Sequence, residues 1–108
     1  MDKNLGELEQ LVLLALVRLG DDAYGVSVQE EIRSRASRDA SFATIYTTLA
    51  RLEEKGYVES YQGEPTAERG GRSKKHFIMT KAGKQALQRS LRALRTMTSG
   101  LDAKWDTR

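Results

Sequence analysis

The chain has 108 residues, with 18 Lys and Arg against 15 Asp and Glu, a single His and no Cys. That length suits one modest domain. Without Cys there is no disulfide framework or thiolate metal site, and His76 alone makes no imidazole cluster, so neither a metal nor a cofactor is expected.

The net charge of +3 hides a gradient. Residues 1–40 carry five basic and eight acidic side chains, residues 41–86 eight against five, and residues 87–108 five against two. Basic charge is thus placed on the second half. Residues 11–17 are apolar but too short to span a bilayer, and no basic leader precedes them. A cytoplasmic protein without a membrane partner is expected.

The first helix is predicted over residues 5–19. Leu8, Leu11, Val12, Ala15, Leu16 and Leu19 form one stripe, and Leu13, Leu14 and Val17 lie on the other side. A helix apolar nearly all round is covered on more than one side. In so short a chain the second cover is expected from a partner subunit. The run GDD at residues 20–22 ends this helix.

The second helix is predicted over residues 24–35, with Val26, Val28 and Ile32 facing inward. Residues 37–40 form the linking turn. A third helix follows, with Ser41 as N-cap. Phe42, Ile45, Tyr46, Leu49 and Leu52 share its inward face at about 100° per residue. Ala43, Thr44, Thr47, Thr48, Arg51 and Lys55 take the other side. Small residues let a helix approach base edges closely, Thr can bond phosphates or bases, and Arg51 can grip a guanine edge. Gly56 ends the helix. The position of Glu53 near the apolar face has no explanation in the sequence.

Two β-prone runs come next, YVESY at residues 57–61 and KKHFIM at residues 74–79. Gly63, Pro65, Gly70 and Gly71 between them are turn chemistry for a hairpin. Residues 69–84 hold six basic side chains and no acidic one. Arg69, Arg72, Lys74 and Lys75 therefore suit a wing that tracks a phosphate backbone or enters a minor groove. A helix followed by such a hairpin reads as the DNA-reading half of a winged helix-turn-helix, with the second helix bracing the third.

Thr80 caps the last helix, predicted to start at Lys81. Leu87, Leu91, Leu94, Leu101 and Trp105 fall on one stripe, and the near-heptad spacing suits packing between subunits. The stripe stays in phase across Ser99 and Gly100, so the helix is expected to continue to Trp105. The expected fold is mainly α with a small β-hairpin. Residues 1–80 would be the winged helix-turn-helix domain and residues 81–108 the C-terminal dimerisation helix.

With these residues in place the chain resembles the PadR family of bacterial transcriptional regulators. Ala43, Thr44, Ile45 and Tyr46, with Leu49, Arg51, Leu52, Glu53 and Gly56, are similar to the family's Gly-Thr-Leu-Tyr…Leu-x-Arg-Leu-Glu…Gly. The run GGRSKKHF at residues 70–77 is like its wing motif, and Thr80 with Gly83 is like its Thr-x-x-Gly. Tyr24 and Gly25 are similar to its second-helix start. Ala43 stands where the family usually has Gly, and His76 with Phe77 replaces a Tyr pair. The resemblance implies a homodimer, joined through the first and last helices, that represses genes by binding an inverted repeat in double-stranded DNA.

The implied DNA contacts are Ser41, Ala43, Thr44, Tyr46, Thr47, Thr48, Arg51, Arg69, Arg72, Lys74 and Lys75. The dimer contacts are Leu13, Leu14, Val17, Leu87, Leu91, Leu94 and Leu101. Trp105, the only Trp, either caps the dimer core or helps line a cleft for a flat aromatic effector. Two other functions compete: a winged-helix module that binds protein, and a MarR-like ligand-responsive regulator. An enzyme is not expected, because the sequence suggests no Cys nucleophile, no His–carboxylate pair near a Ser and no Gly-rich phosphate loop after a strand.

Overall fold

A computed structural model describes residues 4–63 and 74–105, without the side chain of residue 103. The elements are α1 (Glu7–Leu19), a 3-10 turn (Gly20–Asp22), α2 (Gly25–Ala36), α3 (Phe42–Glu54), β1 (Val58–Gln62), β2 (Lys75–Met79), α4 (Lys81–Thr98) and α5 (Asp102–Trp105). Among the described residues no helix is long and apolar enough to cross a membrane.

One core joins these elements. Val12, Leu13 and Leu16 of α1 meet Val28 and Ile32 of α2, Ile45, Leu49 and Leu52 of α3, and Val58 and Phe77 of the hairpin. Ala86 and Leu87 of α4 close it. Leu13 is fully buried here. The side of α1 assigned from sequence to a partner is therefore partly the protomer's own, because α2, α3, β2 and α4 all pack on this one helix. Val26, expected inside, is exposed, and Gly25 takes the buried place at the start of α2.

β1 and β2 pair antiparallel with Val58 opposite Met79 and Gln62 opposite Lys75. β2 is also held on its other side. Tyr24 forms a bridge with His76, and the Phe77 N–H donates to the Ala23 carbonyl at 2.9 Å. The segment entering α2 thus fixes the hairpin against the helices.

Two hinges of the chain are built by glycine. Gly56 has φ +81°, the left-handed conformation that closes α3 after Lys55. Gly83 answers a different demand. A Cβ there would lie 2.2 Å from the Tyr57 carbonyl oxygen, so only glycine lets α4 start this close to β1. Thr80 completes the junction: its Oγ1 accepts from the Gly83 N–H at 3.1 Å and donates to the Gly56 carbonyl at 2.7 Å.

The last helix departs from expectation. α4 ends at Thr98, Ser99 turns extended with ψ 131°, and Gly100 is left-handed at φ +78°. A separate short helix then carries Trp105. Phase alone had suggested continuity across Ser99 and Gly100, but a β-hydroxyl residue followed by glycine offers the backbone an exit from the helix.

Candidate nucleic-acid interface

α3 is positioned from both flanks. Its start is set by Ser41, whose Oγ accepts from the Thr44 N–H at 3.1 Å and donates to Thr44 Oγ1 at 2.9 Å. α2 braces it through Gln29, which donates to the Ala40 carbonyl at 3.0 Å. Ser41, Ala43, Thr44, Thr47 and Arg51 are exposed, as expected. Ala50 is exposed with them, three residues beyond Thr47 and seven beyond Ala43, and sequence reasoning passed over it.

Thr48 is a correction. It is buried, and its hydroxyl donates back to the Thr44 carbonyl at 2.8 Å. It borders the surface from below and has no hydroxyl proton left for DNA. Tyr46 is also more core than surface. It is half-buried, with edge-on ring contacts to Phe42 at 5.4 Å and Phe77 at 6.0 Å.

On one flank α3 faces the start of α1 across a cleft of about 520 Å³, lined by Thr44, Thr47, Arg51 and Lys55 against Gly6, Leu8 and Glu9. Glu9 is the anchor. It is buried, receives Lys55 Nζ at 2.7 Å and accepts from the Gly6 N–H at 2.8 Å. Burial pushes its carboxyl up, but the bonds from Lys55 and Gly6, with the charges of Lys55 and Arg51, outweigh that and hold it below the ordinary Glu value. Lys55 is thereby partly committed to Glu9, while Arg51 has no ion-pair partner among the described residues.

On the other flank lies the hairpin. Lys74 and Lys75 are exposed, as a phosphate contact requires. Their ammonium groups lie over aromatic faces, Lys74 at 4.2 Å from the Tyr24 ring and Lys75 at 5.8 Å from the Tyr46 and Phe77 rings. His76 stacks on Tyr61 at 5.4 Å and meets Tyr24 edge-on at 5.6 Å. Glu53 gains its explanation here, accepting from the Ser60 hydroxyl at 2.8 Å and tying α3 to β1. Arg69 and Arg72 lie outside the described residues.

The residues expected at a dimer interface divide. Leu13 and Leu87 are buried in the protomer's core and offer a partner nothing. Leu14, Leu91 and Leu101 are half-buried. Val17 and Leu94 are exposed, as are Met97 and Trp105.

Three helices with the third presented beside a basic antiparallel hairpin define a winged helix-turn-helix protein. The chain belongs to the transcriptional regulator PadR-like family, whose pattern matches residues 13–89. It is 31% identical over 84 residues to an uncharacterized protein of Lysinibacillus sphaericus, covering 76% of this chain and 72% of that protein. Its fold is similar to that of a PadR family transcription regulator from Clostridium difficile, with a TM-score of 0.75, 23% identity, and 91% of this chain and 97% of that chain covered. A PadR-like transcriptional regulator from Bacillus cereus gives a TM-score of 0.74 at 17% identity, with 94% and 93% covered.

Proposed function

We propose that this regulator is a homodimeric repressor that binds an inverted-repeat operator in double-stranded DNA. The observation that carries the reading is the pairing of an exposed α3 face with two exposed lysines that border the start of the same helix. The exposed face of α3 offers Ala43, Thr44, Thr47 and Arg51, and Lys74 and Lys75 stand beside it on the hairpin. Small and hydroxyl side chains with the Arg51 guanidinium suit base edges, and the lysines suit phosphate. This exposed basic edge favours DNA over a protein partner.

The second subunit is argued from Val17, Leu94 and Met97, large apolar side chains left exposed on α1 and α4. They are better covered than hydrated. In this arrangement residues 1–80 hold the DNA-reading surface and residues 81–108, joined by Val17 of α1, carry the pairing, in the cytoplasm. Trp105 is 61% exposed beyond the Gly100 break, and a flat aromatic effector stacked on it would act by changing the spacing of the two α3 helices.

The test is binding to genomic duplex fragments as salt is varied. Each phosphate neutralised adds about 0.9 to the slope of log affinity against log salt. Recovery of an inverted repeat with a steep slope supports the reading. Salt-independent binding, or none to any fragment, refutes it.

A further inference from the structure

Phe42 and Val26 are apolar residues exposed in an unexpected place. Phe42 is the first residue of α3 and Val26 the second of α2, and they are 42% and 52% exposed. Both helix starts meet the hairpin at one shallow cleft of about 170 Å³, bounded by Val26, Phe42, Tyr46, Lys74 and Lys75. The apolar step is therefore framed by two cations.

Phe42 is also held in place. Its ring stands edge-on to Tyr46 at 5.4 Å and occupies the space above Gly25, where a Cβ would come within 2.7 Å of Phe42 Cε1. The ring already rests against the start of α2. A rigid aromatic edge is thus presented at the N-terminal end of α3, the end that meets base edges when a recognition helix enters a major groove.

An exposed apolar pair between lysines needs an occupant that is anionic at its rim and apolar at one point. Duplex DNA has this combination. Phosphates answer Lys74 and Lys75, and the one apolar feature on a base edge in the major groove is the thymine 5-methyl group. We propose that Phe42, supported by Val26, reads a thymine methyl in each operator half-site. This inference rests on the DNA-binding reading and adds a specificity-determining residue to it.

The experiment replaces each operator thymine in turn by uracil, which removes the methyl and keeps the pairing edge. Wild-type protein should lose about four-fold in affinity at one or two positions per half-site, the worth of one buried methyl group. Phe42→Ala should bind the thymine and uracil forms of those positions equally, while wild-type discrimination elsewhere persists. Val26→Ala should reduce the same penalty in part. The proposal is overturned if the wild-type protein binds every uracil operator as it binds the parent, a measurement that needs no variant. It is overturned equally if Phe42→Ala keeps the full penalty, or if Phe42→Ala changes the mass in solution instead, which would make the patch a protein contact. A wild-type chain that binds no duplex refutes the underlying DNA reading and this inference with it. Intact operator binding without a methyl penalty removes this inference alone.

Discussion

Gly83→Ala tests the junction on which the placement of α4 depends. The added Cβ would lie 2.2 Å from the Tyr57 carbonyl oxygen and 3.0 Å from Met79 Cγ. Carbon and oxygen normally approach to about 3.3 Å, so the start of α4 must move by roughly 1 Å. The carbonyl cannot retreat easily. It accepts from the Thr80 N–H at 3.0 Å, and the Tyr57 N–H is itself bound to the Leu52 carbonyl at 2.9 Å. Alanine gains about 1 kcal/mol over glycine in helix propensity. Against that stand about 1–3 kcal/mol of overpacking and about 1 kcal/mol for a loosened hydrogen bond. The net loss is then about 1–3 kcal/mol, or roughly 5–20 °C in Tm for a chain of this size.

Thermal and urea unfolding followed by circular dichroism measure it. Protein concentration must be matched, because association makes Tm concentration-dependent. Gly56 is the control. A Cβ there meets nothing within 4 Å, so Gly56→Ala carries only left-handed strain, about 1 kcal/mol. Asn tolerates that conformation, so Gly56→Asn should recover much of the loss and Gly83→Asn should recover none. A Gly83→Ala variant as stable as the parent would refute the close approach of α4 to Tyr57.

Three further outcomes are expected. Arg51→Ala should lower discrimination between operator and random duplex, by about 1–3 kcal/mol if it reads a base, whereas Lys75→Ala should weaken both about equally; the reverse pattern in a competition assay would exchange their roles. Glu9→Gln should cost on the order of 1 kcal/mol at neutral pH, since Lys55 can rehydrate in part. The folded-state pKa of Glu9 is depressed, so its contribution is present above the ordinary Glu value of 4.5 and lost as pH falls through the folded value; the gap between variant and parent should close in acid, and a gap independent of pH refutes the ion pair. Light scattering should give twice the chain mass, and a stable monomer at micromolar concentration would refute the exposed surface of Val17, Leu94 and Met97 as a subunit contact.

What the sequence revealed, and what it hid, follows the range of the forces involved. The cap at Ser41, the stop at Gly56 and the two β-prone runs of the hairpin depend on neighbours a few residues away, and all were legible. So was the inward face of α3, because Ile45, Leu49 and Leu52 repeat at the helical period. Thr48 was misplaced because a hydroxyl residue looks polar in sequence. Its bond back to the Thr44 carbonyl lets the methyl face the core. Leu13 and Leu87 were misassigned for a different reason. Periodicity says which side of a helix is apolar, not whether one chain or two will cover it. The Glu9–Lys55 pair and the Gly83 contact join residues far apart in the chain, and Glu53 meets Ser60 only once the chain has turned from α3 into β1, so nothing local marks them. The Gly100 break was hidden because the leucine stripe stays in phase across it.

The bracing of α3 restricts how a dimer of this chain could be switched. On one flank Lys55 is bound to Glu9 of α1, and Arg38 before α3 is bound to Glu7 at 2.8 Å. On the other, Glu53 is bound to Ser60, and the Phe42, Tyr46 and Phe77 rings run unbroken from α3 into the hairpin. α1, α3 and the hairpin are therefore tied to one another at several points. In the proposed dimer the distance between the two α3 helices is then set where α1 and α4 meet the partner, not by bending within a protomer. Half-sites one turn of DNA apart demand a separation of about 34 Å, so a small rotation at that interface suffices to spoil the fit. The chain breaks its last helix at Gly100, between α4 and the exposed Trp105. In the proposed dimer, a ligand held by Trp105 would act from beside the end of α4 on that interface, and it must favour the DNA-free spacing to release the operator.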